Sequence, residues 1–187
     1  MRIISGQFRG KKLSKFNDKL FGKSMRPTLD RIKESYFNSI IHNKLVDFKG
    51  LRVLDLFAGT GANGLEAISR GASFVFFIDN NSNSIQLIKE NVNILGIKER
   101  IKILKKDITK LENNSFNFCF DMVFMDPPYN DCLINVTISS IIKGNWIKKN
   151  TLIVIEGNKE MLIPENFVLE RILNFKKIKV LIIRYLG

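Results

Sequence analysis

Residues able to form covalent or metal cross-links are scarce in this sequence. Its 187 residues include two cysteines, Cys119 and Cys132, and one histidine, His42. Neither cysteine belongs to a C-x-x-C pair, and one histidine does not complete a zinc site with them. We therefore expect no metal centre, two incidental thiols in a reduced cytoplasmic protein, and His42 at the surface or at a helix end.

A long apolar run is also absent. No segment is long enough to cross a bilayer, and Ser5 and Gly6 interrupt the apolar start, which argues against a signal peptide. We therefore expect no membrane association and infer no obligate protein partner. Hydrophobic residues still make up 45% of the sequence, which is typical of a folded domain with a core.

Acidic residues are under-represented, above all near the start. Residues 1–50 contain 12 lysines and arginines against 4 acidic residues, whereas residues 51–187 contain 18 against 14. Most of the net charge of +12 therefore lies in the first quarter of the chain. A clustered basic excess indicates a polyanionic partner, most often nucleic acid. A membrane surface is less favoured, because no basic amphipathic helix with a broad apolar face accompanies the charge.

The first fifty residues are interpreted as a small basic N-terminal extension. Residues 2–4 and 12–13 are predicted to pair as a β-ribbon around Gly6 and Gly10. A helix is predicted from Thr28 onward. Its apolar face consists of Ile32, Tyr36, Phe37, Ile40 and Ile41.

Strand-like and helix-like segments alternate from Leu51 onward. Strands are predicted at 52–58, 73–79, 100–107, 120–129 and 151–157, with helices at 64–71, 82–96 and around 135–144. Two apolar runs within 167–187 are too close for a helical crossover, so they are predicted to pair antiparallel. The fold class is therefore α/β, with a mainly parallel, doubly wound sheet of seven strands that ends in an antiparallel hairpin.

A glycine-rich loop follows the first of these strands. The sequence "DLFAGTGANG" contains Gly59, Gly61 and Gly64 in the spacing of a dinucleotide-binding turn. Asp79 follows the second strand, where a carboxylate accepts hydrogen bonds from ribose hydroxyls. Both features suit any nucleoside cofactor, and they do not separate NAD from S-adenosylmethionine.

Two further carboxylates favour S-adenosylmethionine. Asp55 ends the strand before the loop, where its charge repels a pyrophosphate but attracts an ammonium group. Asp107 closes the third strand, where it can accept the exocyclic amine of adenine.

The turn at Asp126-Pro127-Pro128-Tyr129 indicates the substrate. Ionised Asp126 offers only acceptors, and Pro127 has no N–H, so the turn presents acceptors to an exocyclic amine. Such an amine can donate its hydrogens to Asp126 and the Pro127 carbonyl while Tyr129 stacks on the base. Methyl transfer from a sulfonium depends on alignment and desolvation more than on a strong base.

With these residues the chain resembles class I S-adenosylmethionine-dependent methyltransferases. More narrowly it resembles the RsmD family, bacterial enzymes that methylate guanine N2 in 16S ribosomal RNA, at position 966. The resemblance rests on "MRIISGQFRGKKL" at the start, "RPTLDRIKESYFN" at 26–38, "VLDLFAGTGANGLEAISRGA" at 53–72 and "MDPPY" at 125–129. It implies a Rossmann-like fold with an RNA-binding extension, 1–50, and a catalytic domain, 51–187. It also implies S-adenosylmethionine as cofactor and 16S ribosomal RNA, in the small subunit or its precursor, as partner.

The resemblance assigns roles to individual residues at its motif positions. The cofactor would be held by Asp55, Phe57, Ala58, Gly59, Thr60, Gly61, Asp79, Asn80, Asp107 and Ile108. The catalytic set that holds the guanine amine would be Asp126, Pro127, Pro128 and Tyr129. RNA phosphates would be contacted by Arg2, Arg9, Lys11, Lys12, Arg26 and Arg31. Arg31 has an alternative interpretation, in which it pairs with Asp30 or Glu34.

Two residues depart from the family pattern without removing a needed group. Asn63 replaces an aliphatic residue, and Asp79 stands where glutamate is frequent. Gly64 is interpreted as the residue that lets its helix pack close to the sheet.

Three other functions stay open. A DNA amino-methyltransferase uses the same chemistry, although the short chain has no obvious target-recognition domain. A ribosome-assembly factor that retains only the fold is disfavoured by the intact segment 126–129. An NAD enzyme is the least favoured.

Overall fold

The computed structural model describes residues 1–15, 26–128, 131–158 and 160–187. For residues 26–30, 131 and 132 it describes the backbone alone. The predicted roles of Tyr129 and of the Arg26 side chain, and the thiol of Cys132, therefore lie outside the described residues.

The described strands are β1 (Arg52–Leu56), β2 (Phe74–Asp79), β3 (Ile101–Lys105), β4 (Phe120–Met125), β5 (Ile147–Gly157), β6 (Phe167–Asn174) and β7 (Lys179–Tyr185). They form one seven-stranded sheet in the order β3-β2-β1-β4-β5-β7-β6. Strands β1 to β5 are parallel, and β7 lies antiparallel between β5 and β6. The predicted parallel sheet and antiparallel hairpin are confirmed. Asp55 is expected to end its strand, but β1 continues one residue further, to Leu56.

The described residues contain four α-helices: α1 (Arg26–His42), α2 (Ala62–Ser69), α3 (Ser82–Leu95) and α4 (Asp131–Lys143). Helix α3 begins after Asn81, whose side chain accepts a hydrogen bond from the Asn83 N–H at 2.8 Å. It ends at Gly96, which adopts the left-handed conformation that terminates many helices. The predicted end of this helix is confirmed.

Two hydrophobic clusters lie on the two faces of the sheet. Alternate strand residues point to opposite faces, so Val53 and Phe124 join one cluster and Leu54 and Met125 join the other. The first cluster is covered by α1, α2, α3 and the N-terminal segment, and the second by α4. Trp146 belongs to the second cluster and is 4% exposed, which makes it a core residue.

Helix α1 packs on the sheet with the predicted face, apart from one residue. Ile32, Tyr36, Phe37 and Ile40 are buried, whereas Ile41 is 46% exposed. The prediction for Ile41 is wrong because the helix turns this position away from the cluster just before it ends at the exposed His42.

The N-terminal ribbon is present as a short antiparallel bridge. Arg2 pairs with Lys12, and the Ile3 N–H donates to the Lys11 carbonyl at 3.0 Å. Ile3 and Leu13 are buried in the same cluster as the sheet and helix α1. The segment therefore packs against the core of the main sheet.

Gly64 lies where helix α2 crosses β2 at close range. A Cβ atom at this position would stand 2.4 Å from Phe77 Cε1 and 2.7 Å from Val75 Cγ1. Both neighbours are fully buried ring or branched side chains, so they have little room to move. The close packing inferred from the sequence is confirmed.

Replacing Gly64 by valine is expected to lower the free energy of unfolding by about 1–3 kcal/mol, because the added atoms overlap Phe77 and Val75. Urea unfolding measures this loss, with Asn93→Val at an exposed position of α3 as the control. The preference for S-adenosylmethionine over NAD is expected to persist in the Gly64 variant. Unchanged stability together with lost S-adenosylmethionine binding would contradict the packing role.

Candidate active site

The glycine loop between β1 and α2 is held by the end of β2. Gly59 and Gly61 adopt left-handed backbone angles, φ 55° and 76°, and Phe57 does so without being glycine. Asp79 Oδ2 accepts a hydrogen bond from the Gly59 N–H at 2.8 Å, and the Ala58 N–H donates to the Ile78 carbonyl at 3.2 Å. The loop is therefore shaped by its own backbone and fixed by a neighbouring carboxylate.

Asp55 lies beneath this loop and is 1% exposed. Its Oδ2 accepts a hydrogen bond from the Gly64 N–H at 2.9 Å, which joins the strand to the start of α2. Burial raises the pKa of Asp55 well above its usual range, and the charges of Asp126 and Asp79 raise it further. The sequence prediction thus places Asp55 at the loop, but most of its surface faces protein.

A second pair of acids stands at the ends of β4 and β5. Met125 is paired with Ile155, and the residues that follow them are Asp126 and Glu156, which are close enough for the charge of Asp126 to act on Glu156. Asp126 is accessible to solvent, but surrounding protein raises its pKa to about 6. Glu156 is half-buried, and burial together with the charge of Asp126 raises its pKa to about 8.

The two prolines after Asp126 differ in exposure. Pro127 is buried and Pro128 is exposed, so the turn is anchored at its first proline and open at its second. Asp126, directly before them, is exposed.

Tyr36 brings the N-terminal helix to the same acids. Its hydroxyl donates a hydrogen bond to Asn63 Oδ1 in helix α2. Burial raises the pKa of Tyr36 well above its usual range, and Glu156, Asp55 and Asp126 add to the effect in that order. Asn63, which departs from the family pattern, therefore gives this buried hydroxyl its acceptor. Sequence reasoning had identified Tyr36 only as a core position.

The predicted adenine-side residues show structural roles. Asp107 is exposed, and its Oδ1 accepts hydrogen bonds from the backbone N–H and hydroxyl of Thr109 at 3.0 and 2.8 Å. These bonds to Thr109 lower the pKa of Asp107. Ile108 is buried in the second cluster, whereas Asn80 is exposed beside Asp79. Asp107 thus caps a short 3₁₀ turn, and its Oδ2 carries no described hydrogen bond.

The basic N-terminal residues surround a cleft outside the sheet. Arg2, Arg9 and Arg31 line a cavity of about 340 Å³ that also contains Glu34. The structure shows no ion pair between Arg31 and Glu34, both of which are described residues. Lys11 and Lys12, which follow Arg9 closely in the sequence, are exposed.

Two buried polar residues tie this segment to the glycine-loop side of the fold. The Glu66 carboxylate accepts hydrogen bonds from the Ile4 and Ser5 N–H groups at 2.8 and 3.0 Å. Asn91 accepts from the Ser14 N–H at 2.6 Å and donates to the Thr60 carbonyl at 3.1 Å. Sequence reasoning missed both, although a polar residue on the apolar face of a helix was an available signal.

The charge of the site decides which ligand it suits. The charges of Asp126 and Asp79 raise the pKa of Asp55 beside the loop, so a cationic ligand would relieve this repulsion and an anionic pyrophosphate would increase it. Among the described residues, no cluster of three or more histidine, cysteine or acidic side chains could hold a metal ion. Within the same residues no helix is both long and apolar enough to span a membrane.

The order and direction of the strands are those of the class I methyltransferase fold, and the glycine loop lies between the acids Asp55 and Asp79. Magnesium protoporphyrin IX methyltransferase of Synechocystis PCC 6803, solved with bound S-adenosylmethionine, has the same fold with a TM-score of 0.67. That similarity covers 94% of this chain and 86% of the other at 14% identity, and it concerns the fold alone.

The chain belongs to the family described as "Conserved hypothetical protein 95", whose model matches residues 1–183, and this is the RsmD family. It is 35% identical over 178 residues to the ribosomal RNA small subunit methyltransferase D of Haemophilus influenzae, covering 90% of this chain and 86% of that one. The corresponding Escherichia coli K12 protein is 33% identical over 181 residues, covering 91% and 83%. A solved Escherichia coli structure, yhhF, provisionally named a methyltransferase, has a TM-score of 0.83 at 27% identity and covers 100% and 98%.

The acid cluster predicts a pH-dependent stability. A carboxyl whose pKa is higher in the folded state costs stability as pH rises from its ordinary value, about 4, to the folded value. For Asp126 this window ends at about 6. The stability of Asp126→Asn relative to the unsubstituted protein is therefore expected to increase between about pH 4 and 6 and to level off above, as measured by urea unfolding. Glu99→Gln, at an exposed position, is the control. A constant difference across this range would contradict the effect.

Proposed function

We propose that this protein transfers a methyl group from S-adenosylmethionine to N2 of a guanine in 16S ribosomal RNA, at the family's position, in the cytoplasm. The observation that carries the proposal is the buried Asp55 beside the glycine loop, whose pKa the charges of Asp126 and Asp79 raise further. These acids suit a ligand with ammonium and sulfonium charges. The relatives' names and the basic cleft support a substrate in the small subunit or its precursor.

The cofactor residues keep the roles that the resemblance implies. Asp55 faces the ammonium end, and Asp79, already bonded to the Gly59 N–H, has lone pairs left for ribose hydroxyls. Phe57, Ala58, Gly59, Thr60 and Gly61 form the loop around them, and Asn80, Asp107 and Ile108 flank the adenine side. Asp107 Oδ2 is the acceptor available for the adenine amine.

The reaction needs an aligned amine at the open side of the site. When bound, S-adenosylmethionine supplies a methyl group attached to a positively charged sulfur. Asp126 and the Pro127 carbonyl hold the two N2 hydrogens, so the nitrogen lone pair faces that methyl carbon. The new N–C bond forms as the S–C bond breaks and leaves a neutral thioether. One N2 proton then passes to the Asp126 carboxylate and on to water. Pro128 and Tyr129 complete the proposed catalytic set.

The N-terminal section, residues 1–50, is proposed to bind the RNA around the target. Arg2, Arg9 and Arg31 share one cleft, which suits a phosphodiester backbone with closely spaced charges. Lys11, Lys12 and Arg26 are proposed to extend this contact. The buried ties through Glu66 and Asn91 hold the section against the cofactor side, residues 51–187, so RNA and cofactor meet on a fixed frame.

Methyl transfer is tested directly with labelled S-adenosylmethionine and either unmethylated small subunits or naked 16S ribosomal RNA. The expected product is N2-methylguanine, identified after digestion to nucleosides. Asp126→Asn is expected to lower kcat by at least about 100-fold, because the amide no longer accepts a proton from the amine. Asp47→Asn, at an exposed position, is the matched control.

Each other outcome identifies a different function. Label in duplex DNA would favour a DNA amino-methyltransferase. An Asp126→Ala variant that rescues every defect of a deletion strain would favour an assembly factor. Transfer to guanine N2 in neither RNA substrate would refute the proposal.

Neutralising the cleft is expected to weaken RNA binding without weakening cofactor binding. We expect each of three single substitutions to make the plot of log affinity against log salt concentration less steep by about 1. The substitutions are Arg2→Gln, Arg9→Gln and Arg31→Gln. Filter binding at several salt concentrations measures the slope, and calorimetry measures S-adenosylmethionine affinity. Lys177→Gln, exposed between β6 and β7, is the control. Equal losses in the control would show that net charge alone, and not this cleft, binds the RNA.

A further inference from the structure

Glu156 is an acid of the site that the proposed methyl transfer does not use. It follows Ile155 at the end of β5, and Asp126 follows the paired Met125 at the end of β4. Laterally paired residues of a sheet project from the same face and are close neighbours. The two carboxyl groups are therefore placed to contact adjacent atoms of one ligand.

The surroundings of Glu156 differ from those of Asp126. Glu156 is half-buried, and the residue paired with it on β7 is the buried, apolar Val180. Among the described residues, the titratable groups that interact with it from other elements are Asp126, directly after β4, and the neutral Tyr36 on α1. With a pKa of about 8 Glu156 carries a proton at neutral pH, whereas Asp126, at about 6, is ionised.

A protonated carboxyl offers one O–H donor and one carbonyl acceptor side by side. On guanine, the atoms next to the N2 amine are N1–H, a donor, and then O6, an acceptor. On adenine and cytosine, the ring nitrogen next to the amine is an acceptor. The donor and acceptor order on guanine therefore matches a carboxyl that lies beside the holder of the amine.

We propose that Glu156 selects guanine, by accepting a hydrogen bond from N1–H and donating one to O6, while Asp126 and the Pro127 carbonyl hold N2. The inference rests on the proposed function, because it names the residue that recognises the base at that same site. Glu156 is then a specificity-determining residue that touches the substrate. Its ionisation removes the donor to O6, so methyl transfer declines as pH rises through 8.

The test compares two RNA substrates that share the target amine. One carries guanine and the other 2-aminopurine at the modified nucleotide. 2-Aminopurine keeps the amine but has an acceptor at N1 and lacks O6. The unsubstituted protein is expected to prefer guanine by about 10- to 100-fold in kcat/KM, the range of one bidentate base contact.

Two variants separate recognition from folding. Glu156→Met keeps the length of the side chain without its polar atoms, and it is expected to lose 10- to 100-fold on guanine while keeping its activity on 2-aminopurine. Glu156→Gln presents the same acceptor and donor, so it should stay within about tenfold on guanine and show no decline above pH 8. S-adenosylmethionine affinity is measured for both, with Glu165→Gln as the exposed control.

The possible failures are distinguishable. Equal losses on both substrates in Glu156→Met, or full guanine activity in that variant, would overturn the role of Glu156 and leave methyl transfer intact. An inactive Glu156→Gln variant that still binds S-adenosylmethionine would also overturn it. No methylation of guanine by the unsubstituted protein would overturn the proposed function together with this inference.

Discussion

Carboxylates crowded at the carboxyl edge of the parallel sheet are the constraint on which the site depends. Asp55 and Asp79 are both less than 10% exposed, and Asp126 lies close enough to raise the pKa of Asp55. Burial and like charge both oppose ionisation of Asp55. The loop offsets part of this cost, because the Gly64 N–H donates to Asp55 and lowers its pKa. A cation beside Asp55 would offset more of it, whereas a pyrophosphate would add to it.

The same edge of the sheet organises the N-terminal section. Tyr36 reaches the acids from helix α1 and bonds to Asn63, while Glu66 and Asn91 hold the first fifteen residues against α2 and α3. Ile3 and Leu13 are buried with the sheet residues, so this section shares their core. The basic N-terminal surface is thereby held beside the glycine loop.

The fold was predictable because its signals are local. Strand and helix periodicity, the prolines after Asp126 and the short spacing before β7 each act over a few residues, and the sheet confirms them. Ile41 was mispredicted because periodicity does not indicate where a helix leaves its partner surface. Asp107 shows the other difficulty: its carboxylate is visible in the sequence, but its bonds to Thr109 appear only in three dimensions.

The sequence by itself determined the order of strands and helices, the glycine loop, the acidic residues at the strand ends and the basic start of the chain. Each follows from residue type and spacing alone. Only the tertiary structure decided that Asn63 serves Tyr36, that Glu66 and Asn91 clamp residues 4, 5 and 14, and that Glu156 stands beside Asp126. These pairs are separated by about thirty or more residues, so chain folding brings them together and no local pattern records them.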